Sequence, residues 1–328
     1  MKSTINLEKK FNDFIKEEET SFDELALQFF HYQREYNKVY KEFLKILNKD
    51  FSNVNTIEQI PFMPVSFFKN SVIKTGDWTE ETVFESSSTS GAIPSRHYVR
   101  SLNFYRANAE FCFNTQIGNM ADYCFFALLP SYLERNTSSL VYMTDHFIKK
   151  SGCGKFYKTD YIKLNQDLKN YAGDKKIILL GVTYALMEFA KYFSIERDVI
   201  VMETGGMKGR GPELPRELVH EKLRKSFNIE KVFSEYGMTE LMSQAYSKGD
   251  GVFTTPTTMK ILISDIYDPF SILTRSRQGK VNIIDLANYD TCCFISTDDL
   301  GIKIDNDNFK ILGRTDESDI RGCNLLYL

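Results

Sequence analysis

The first feature with chemical potential is a run of five hydroxyl side chains, Ser86 to Ser90, that ends at Gly91. Hydroxyl groups and free backbone N–H groups in a glycine-containing turn can surround phosphate oxygens, and Arg96 can add a charge-assisted contact. The same composition is typical of a Ser/Thr-rich surface loop. The run alone therefore leaves a phosphate-binding loop and an ordinary loop both open.

A second such segment is Tyr236-Gly237-Met238-Thr239-Glu240, which follows an apolar run. Tyr236 can stack on a base, and Glu240 suits Mg²⁺, which takes one or two carboxylates together with phosphate oxygens. A helix N-terminal turn is an equally good interpretation. Upstream, Glu203 to Gly206 ends another apolar run, and open α/β sheets bind ligands at the edge where such strands end.

A thiol near the end of the sequence is the third feature. Only the thiolate of a cysteine is nucleophilic, and Arg321, two residues before Cys323, can lower the pKa of that thiol. By position alone, Cys323 is better explained as an inert small residue in a tail. The sequence has six cysteines, which are scattered and predict reduced thiols, and Cys112, Cys124, Cys292 and Cys293 are interpreted as strand packing.

Several common signatures are missing from the sequence. It has no GxxxxGK[ST] or GxGxxG fingerprint, and Phe156 follows Gly152-Cys153-Gly154-Lys155 where the first fingerprint needs a hydroxyl, so this stretch is interpreted as a turn. No CxxC pair exists, and the four histidines show no HExxH spacing. A metal cage built by protein side chains alone is not expected.

The first predicted element among those that position these residues is a helix near the start of the sequence. Ser21 and Glu24 fit a capping box, and apolar residues then recur at three- and four-residue steps from Leu25 to Leu47, which predicts one amphipathic helix. Prolines from Pro61 onward then favour loops and strands.

Strand and helix patterns alternate in the middle of the chain, which predicts a doubly wound α/β body with parallel strands. Predicted strands are 123–129, 176–181, 198–203 and 231–236, and predicted helices are 184–193 and 218–227. After Gly251 the pattern becomes β-rich and predicts a small antiparallel sheet or barrel. Its segments are 259–266, 279–286, 292–296 and 301–312.

Composition describes an ordinary folded protein. The chain has 328 residues, 42% hydrophobic and 26% charged, enough for about two domains at ~150 residues each. Its net charge of −3 argues against nucleic acid as a partner. The charged N-terminus lacks a signal-peptide core and no stretch reaches 18 apolar residues, so a cytoplasmic protein without membrane insertion is expected.

The order of the motifs carries more information than any one of them. The sequence resembles the adenylate-forming superfamily of acyl-CoA synthetases, luciferases and peptide-synthetase adenylation domains. The resemblance lies in five motifs in order: the hydroxyl loop, the Gly-Gly turn, YGxTE, an aspartate before Leu300-Gly301, and Gly313-Arg314. Within this superfamily the chain looks most like the acyl-protein synthetase (LuxE-type) family. The segments that carry this likeness are 61–69, 129–135, 138–143 and 321–323.

The resemblance implies an α/β fold: the large-domain architecture of adenylate-forming enzymes, with parallel sheets flanked by helices, plus a small β-rich C-terminal part. It implies that the usual mobile C-terminal lysine domain is absent. The expected segments are a helical N-terminal segment packed on the core (1–84), an α/β nucleotide-binding core (85–250) and a β-rich subdomain with the Cys-bearing tail (251–328). The loop departs from the superfamily pattern at Ser88, where glycine is usual, and has one extra residue before Pro94.

The resemblance also implies a reaction: ATP and a fatty acid form acyl-AMP, and the acyl group passes to Cys323 for delivery to an acyl reductase partner. Glu240 would hold Mg²⁺, Thr239 would contact the α-phosphate, and Asp299 with Arg314 would bind the ribose. The remaining nucleotide-binding assignments are Ser87, Ser88, Thr89, Ser90 and Gly91 at the triphosphate, Gly205, Gly206 and Tyr236 around the adenine, and Gly237. Candidates for the missing cation are Arg96, Lys208, Arg210 and Arg321.

Two other interpretations stay open. In one, the chain is an adenylate-forming ligase that passes its acyl group to CoA or a carrier-protein thiol, and Cys323 is incidental. In the other, it is a noncatalytic acyl- or nucleotide-binding subunit of a reductase complex.

Overall fold

The computed structural model describes residues 6–16, 20–87, 93–130, 137–205, 214–274 and 276–314. They form two compact units: unit 1 takes its residues from Met1–Phe67, Ile73–Gly76 and Thr257–Leu328, and unit 2 from Phe68–Val72 and Asp77–Pro256. The expected segment 85–250 lies wholly in unit 2, whereas unit 1 combines residues from both ends of the chain.

The described residues contain nine α-helices and fourteen strands. The helices are α1 (Leu7–Ile15), α2 (Phe22–Tyr36), α3 (Lys38–Ile46), α4 (Phe67–Asn70), α5 (Leu102–Gln116), α6 (Ser139–Ser151), α7 (Tyr161–Asn170), α8 (Thr183–Tyr192) and α9 (Arg216–Phe227). The strands are β1 (Met63–Pro64), β2 (Thr82–Glu85), β3 (Arg96–Val99), β4 (Tyr123–Leu128), β5 (Gly154–Phe156), β6 (Lys176–Val182), β7 (Val199–Thr204), β8 (Phe233–Tyr236), β9 (Ala245–Ser247), β10 (Phe253–Thr254), β11 (Met259–Ser264), β12 (Gly279–Asp285), β13 (Phe294–Lys303) and β14 (Asn308–Arg314).

Unit 2 is built on a mostly parallel sheet. Its strands lie in the order β10-β9-β8-β7-β6-β4-β5, parallel from β8 to β5 and antiparallel at β9 and β10. Helices α8 and α9 connect β6 to β7 and β7 to β8, and they bury residues such as Phe189 and Phe227 against the sheet. The continuous apolar runs of β4 and β6 are what a strand covered on both faces requires. The predicted parallel α/β body is confirmed.

Unit 2 also contains the β2–β3 hairpin, a two-stranded antiparallel sheet in which Phe84 lies opposite His97. Phe84 is buried against Tyr105 of α5 and Tyr142 of α6. This packing holds in place the two hairpin strands that the hydroxyl-rich run connects.

Unit 1 contains the antiparallel order β11-β12-β13-β14, and β1 pairs with β13 in parallel. Rings of the N-terminal helices contribute to its core, with Phe11 and Phe29 against Tyr289 and Phe30 against Phe294. The predicted antiparallel sheet after Gly251 is therefore confirmed, as is the capping box of Ser21 and Glu24.

The single helix expected from Leu25 to Leu47 is wrong, because the chain breaks at Asn37 into α2 and α3. The Asn37 side chain caps α3 by accepting from the Tyr40 N–H at 3.0 Å. Its amide also donates to the Thr291 carbonyl at 2.7 Å and to Thr75. These partners lie 254 and 38 residues away in sequence, so the helical periodicity could not reveal the break.

The predicted strand 301–312 is also wrong as one element, because β13 ends at Lys303 and β14 begins at Asn308. The Asp305 carboxylate accepts from the N–H groups of Asp307 and Asn308 and stabilises the turn between the strands.

The expectation of reduced thiols fails for one pair, since Cys124 and Cys153 form a disulfide with 4.7 Å between their Cα atoms. The pairing of β4 with β5 brings these residues together across 29 positions of sequence. The turn predicted at 152–155 is only partly correct, because Gly152 ends α6 and β5 begins at Gly154. Cys112, Cys292 and Cys293 form no disulfide and are buried, but Cys112 lies in α5 and not in a strand as expected.

Among the described residues, no helix combines the length and the apolar character needed to cross a membrane.

Candidate active site

The carboxyl ends of three neighbouring parallel strands, β6, β7 and β8, meet at one edge of the unit 2 sheet. Val182 pairs with Thr204, and Thr204 pairs with Glu235, so the residues that follow these positions leave the sheet side by side. This edge carries three of the predicted nucleotide-binding residues: Gly205, Tyr236 and Gly237. Crevices at such strand ends are the usual ligand positions of open α/β sheets.

A buried carboxylate, Glu203, organises the end of β7. It is 3% exposed and accepts a hydrogen bond from the Thr183 hydroxyl at 2.9 Å. Arg216 Nε and His220 Nε2 lie 3.1 and 3.4 Å from its other oxygen. Burial raises the pKa of Glu203, but the contacts with His220 and Arg216 outweigh burial and hold the pKa below its ordinary value.

Ser234, His220 and Glu203 lie together, which invites comparison with a hydrolytic triad. Ser234 Oγ and Glu203 Oε1 both approach the same imidazole atom, Nε2, at 3.3 and 3.4 Å. A triad instead requires its serine and its carboxylate on opposite ring nitrogens, and Ser234 is fully buried. The cluster therefore fixes the strand ends and does not provide a nucleophile.

Gly205 immediately follows this cluster and adopts a left-handed backbone with φ of +63°. The Thr183 Oγ1 lies 2.6 Å from the Gly205 carbonyl oxygen, so the single hydroxyl proton is shared between this carbonyl and the Glu203 carboxylate. A side chain at this position would strain the backbone, so the predicted glycine turn has a conformational cause. The second glycine of the predicted turn, Gly206, lies outside the described residues.

At the end of β8, Glu235 is 7% exposed and accepts from the Thr204 hydroxyl. A Cβ atom on Gly237 would lie 2.3 Å from Glu235 Oε1 and 3.3 Å from Gln244 Cγ. Because Thr204 holds the Glu235 carboxylate in place, only glycine fits this position of the YGxTE segment without displacing it.

Tyr236, predicted to stack on adenine, is 8% exposed, and its ring packs 5.7 Å from that of Phe253. The Arg216 guanidinium lies 4.7 Å from the same Phe253 ring. Arg216 thus touches both the carboxylate before Gly205 and the aromatic ring behind Tyr236, and it connects the two strand ends that carry the predicted adenine-binding residues.

The predicted phosphate loop is the connection of the β2–β3 hairpin. The Ser86 N–H donates to the Ser95 carbonyl at 3.0 Å, and the Ser95 N–H donates to the Ser86 hydroxyl at 2.9 Å, which closes the loop at its base. Ser87 is exposed just above this closure. Ser88, Thr89, Ser90 and Gly91 lie outside the described residues.

A buried histidine joins this hairpin to the YGxTE segment. His97 follows the loop on β3, and its Nδ1 lies 2.8 Å from the Thr239 carbonyl oxygen. A carbonyl oxygen can only accept, so Nδ1 carries the proton and donates. The contact brings together two motifs that are 142 residues apart in the chain.

Glu240, the predicted Mg²⁺ ligand, is buried next to Thr239. The described residues contain no group of three or more histidine, cysteine, aspartate or glutamate side chains that could hold a metal ion. A lone carboxylate nevertheless fits Mg²⁺, which completes its octahedral shell with waters and substrate phosphates. The donor set therefore suits a magnesium ion that arrives with its nucleotide.

In unit 1, the two residues predicted to bind the ribose, Asp299 and Arg314, contact each other. Asp299 on β13 lies opposite Arg314 on β14, and Arg314 Nε donates to Asp299 Oδ1 at 3.2 Å. Asp299 is 5% exposed, whereas the Arg314 side chain is 73% exposed. The buried carboxylate thus fixes the base of an arginine whose outer part faces solvent.

The remaining predicted residues divide in two. Arg96 is half-buried on β3, opposite Glu85 in the hairpin. The others lie outside the described residues: Cys323, Arg321, Lys208 and Arg210.

Sequence reasoning missed the polar residues that support the site, Glu203, Glu235 and His97. Two of them carried a usable signal, because a carboxylate as the last or next-to-last residue of an apolar strand is costly to bury without partners. His97 gave none, since its partner is a distant main-chain atom.

No family model and no curated protein matches the sequence. Solved structures do match its fold. An open 2-hydroxyisobutyryl-CoA ligase in complex with 2-HIB-AMP and CoA has a TM-score of 0.63 at 13% identity, over 90% of this chain and 70% of that one.

Two further structures give lower scores. ATP-bound MatB from Rhodopseudomonas palustris matches with a TM-score of 0.53 at 13% identity over 71% of this chain, which spans about half (47%) of MatB. The o-succinylbenzoate CoA synthetase MenE from Bacillus subtilis matches with 0.52 at 15% identity, over 72% of this chain and 50% of that one. The chain therefore has the mixed α/β fold of adenylate-forming enzymes.

Proposed function

We propose that this chain is an ATP-dependent ligase that activates a fatty acid as acyl-AMP and transfers the acyl group to its own Cys323, for delivery to an acyl reductase. The observation that carries this proposal is the meeting of the β2–β3 hairpin and the YGxTE segment through His97 and Thr239. It supports one polyphosphate site built from two motifs. The fold of the ATP-bound and acyl-adenylate-bound structures above supports the same reaction class.

In the first step, a carboxylate oxygen attacks the α-phosphorus of ATP. A new phosphorus–oxygen bond forms the mixed anhydride, and pyrophosphate leaves with the electron pair of the broken bond. Thr239 and the hydroxyls of Ser87 to Ser90 donate to phosphate oxygens as charge moves onto pyrophosphate. Glu240 would hold Mg²⁺, which neutralises phosphate charge when bound.

In the second step, the Cys323 thiolate attacks the acyl carbon. The carbon–sulfur bond forms, the bond to phosphate breaks, and AMP leaves as a stable anion. Arg321 favours the thiolate by its positive charge, which lowers the pKa of a neighbouring thiol. Asp299 and Arg314 bind the ribose hydroxyls in this proposal.

Exchange of labelled pyrophosphate into ATP, with a panel of fatty acids, tests the first step. Acid-dependent exchange is expected in the wild-type protein. Thr239→Ala removes a donor to developing charge and should lower the rate by about 100-fold. ATP binding without exchange for any acid, in the presence of any acyl reductase encoded beside the protein, would favour the noncatalytic subunit instead.

Intact-protein mass after incubation with ATP, Mg²⁺ and fatty acids of several lengths tests the second step. A hydroxylamine-labile adduct that maps to Cys323 is expected, and its mass identifies the preferred chain. Cys323→Ser should abolish the adduct while exchange continues. Cys112→Ser is the matched control, since that thiol is buried and forms no disulfide.

A ligase that uses an external thiol is the second candidate. It is favoured by the likeness of fold to the 2-hydroxyisobutyryl-CoA ligase solved in complex with 2-HIB-AMP and CoA. Acyl-CoA formation that is unchanged in Cys323→Ser, with no protein adduct, would select this candidate.

A further inference from the structure

The His97 contact joins the two proposed phosphate-binding motifs at one atom pair. His97 lies two residues after Ser95, where the hydroxyl loop closes, and it is 1% exposed. Its partner is the carbonyl of Thr239, so the hydrogen bond fixes the peptide that connects Thr239 to Glu240. Rotation of this peptide would move both side chains.

The imidazole itself is held on several sides. Phe84 is the residue paired with His97 in the hairpin register, and the Phe68 ring meets the imidazole edge to face at 5.8 Å. Burial lowers the pKa of His97 to about 4, although the hydrogen bond to Thr239 opposes this shift. The ring is therefore neutral at physiological pH and acts as a donor without adding charge beside a phosphate site.

We propose that His97 is a positioning residue that fixes the peptide between Thr239 and Glu240, and thereby sets the affinity of the proposed site for Mg²⁺ with ATP. The inference rests on the proposed function, because it assigns His97 to the site that binds ATP there. His97 contacts neither ATP nor Mg²⁺ in this scheme; it acts through the peptide that it holds. Misplacement of a catalytic group by about 1 Å is enough to cost about 100-fold in rate.

Three variants in unit 2 separate this role from general stability. His97→Leu removes the donor at similar volume, and His97→Asn restores an N–H donor at the position of Nδ1. His146→Leu is the matched control, because His146 is partly buried in α6 and contacts Glu110, away from the proposed site.

The measurements are calorimetric titration of ATP with and without Mg²⁺, and the Mg²⁺ dependence of pyrophosphate exchange. In His97→Leu we expect the MgATP affinity and kcat each to fall about tenfold and the half-saturating Mg²⁺ concentration to rise. Binding of ATP without Mg²⁺ and the KM for the fatty acid should change little. His97→Asn should recover most of the loss, and His146→Leu should behave as the wild type.

The outcomes distinguish the two proposals. If His97→Leu shows the Mg²⁺ dependence of the wild type, the positioning role is wrong. Pyrophosphate exchange by the wild type would still support the proposed function in that case. If the wild type binds MgATP but shows no exchange, the proposed function fails, and a loss of MgATP binding in His97→Leu still supports the positioning role. If the wild type binds no MgATP, both fail. Should His97→Leu not fold, His97→Gln, which moves the donor by one bond, is expected to show the same Mg²⁺ shift, and wild-type behaviour there overturns the role.

Discussion

At the scale of single residues, Glu203 is the buried charge on which the end of β7 depends. Its carboxylate is in contact with Arg216 and His220, and removal of one member of a buried ion pair leaves the other uncompensated. Because Arg216 is partly exposed, solvent offsets part of the loss, and Glu203→Gln should lower the free energy of unfolding by about 2 to 3 kcal/mol. Urea denaturation measures this change.

The control for Glu203 is an exposed pair in the same unit, Glu188 with Lys191. Exposed ion pairs contribute little, so Glu188→Gln should change the free energy of unfolding by less than about 0.5 kcal/mol. Equal effects of the two substitutions would show that Glu203 does not organise the strand end.

His97 should make stability depend on pH. Its pKa is about 4 in the folded protein and 6.5 for an ordinary histidine, so the unfolded chain binds the proton more tightly. The contribution of the neutral His97 to the free energy of unfolding is complete above pH 6.5. It is lost as the pH falls toward 4, by at most about 3 kcal/mol. Urea midpoints between pH 7 and 4 should fall more steeply in the wild type than in His97→Leu; parallel curves would contradict the buried neutral imidazole.

At the scale of elements, Asn37 decides where α2 ends and α3 begins. Its side chain is fully buried and makes one capping bond and two donor bonds. Asn37→Ala should therefore lower the free energy of unfolding by about 2 to 3 kcal/mol. Ser21→Ala removes an exposed cap of α2 and should cost only about 0.5 to 1 kcal/mol, which makes it the comparison in urea denaturation.

The Cys124–Cys153 disulfide joins β4 to the residue just before β5 and closes a loop of 29 residues. A cross-link of that span stabilises a protein by about 3 to 4 kcal/mol in the chain-entropy description. Dithiothreitol should shift the urea midpoint of the wild type but not of Cys153→Ala. Non-reducing peptide mapping should find the two cysteines in one linked pair, and two free thiols there would contradict the pairing.

Features that depend on neighbours close in the sequence could be predicted from it, whereas features that depend on distant residues could not. Elements with strong local periodicity, such as β6, β7, α8 and α9, were placed to within about two residues, because burial on a sheet imposes its pattern on the local sequence. The break at Asn37, the disulfide and the His97 contact depend on partners far away in the chain. No local pattern encodes such pairs, so only the folded arrangement reveals them.

At the scale of the whole molecule, a fold match with a TM-score of 0.63 coexists with 13% identity. Sheet order and core packing tolerate extensive exchange of apolar residues if volume and pattern are kept. The positions that resist exchange are those with a specific geometric demand, such as Gly237 beside Glu235. This explains why a few motifs in order predicted the fold where overall identity is low.

Binding of MgATP should stabilise the whole protein by mass action, independently of any catalysis. A ligand at 100 times its dissociation constant adds about 2.7 kcal/mol, which corresponds to a rise in Tm of several degrees for a protein of this size. Glu240→Gln should lose the part of this rise that requires Mg²⁺, whereas Glu221→Gln, an exposed carboxylate on α9, should keep it. Differential scanning fluorimetry with ATP, with and without Mg²⁺, makes the comparison. If millimolar MgATP does not raise the Tm of the wild type, the proposed nucleotide site is wrong. If MgATP raises the Tm of Glu240→Gln as much as that of the wild type, another side chain binds the Mg²⁺.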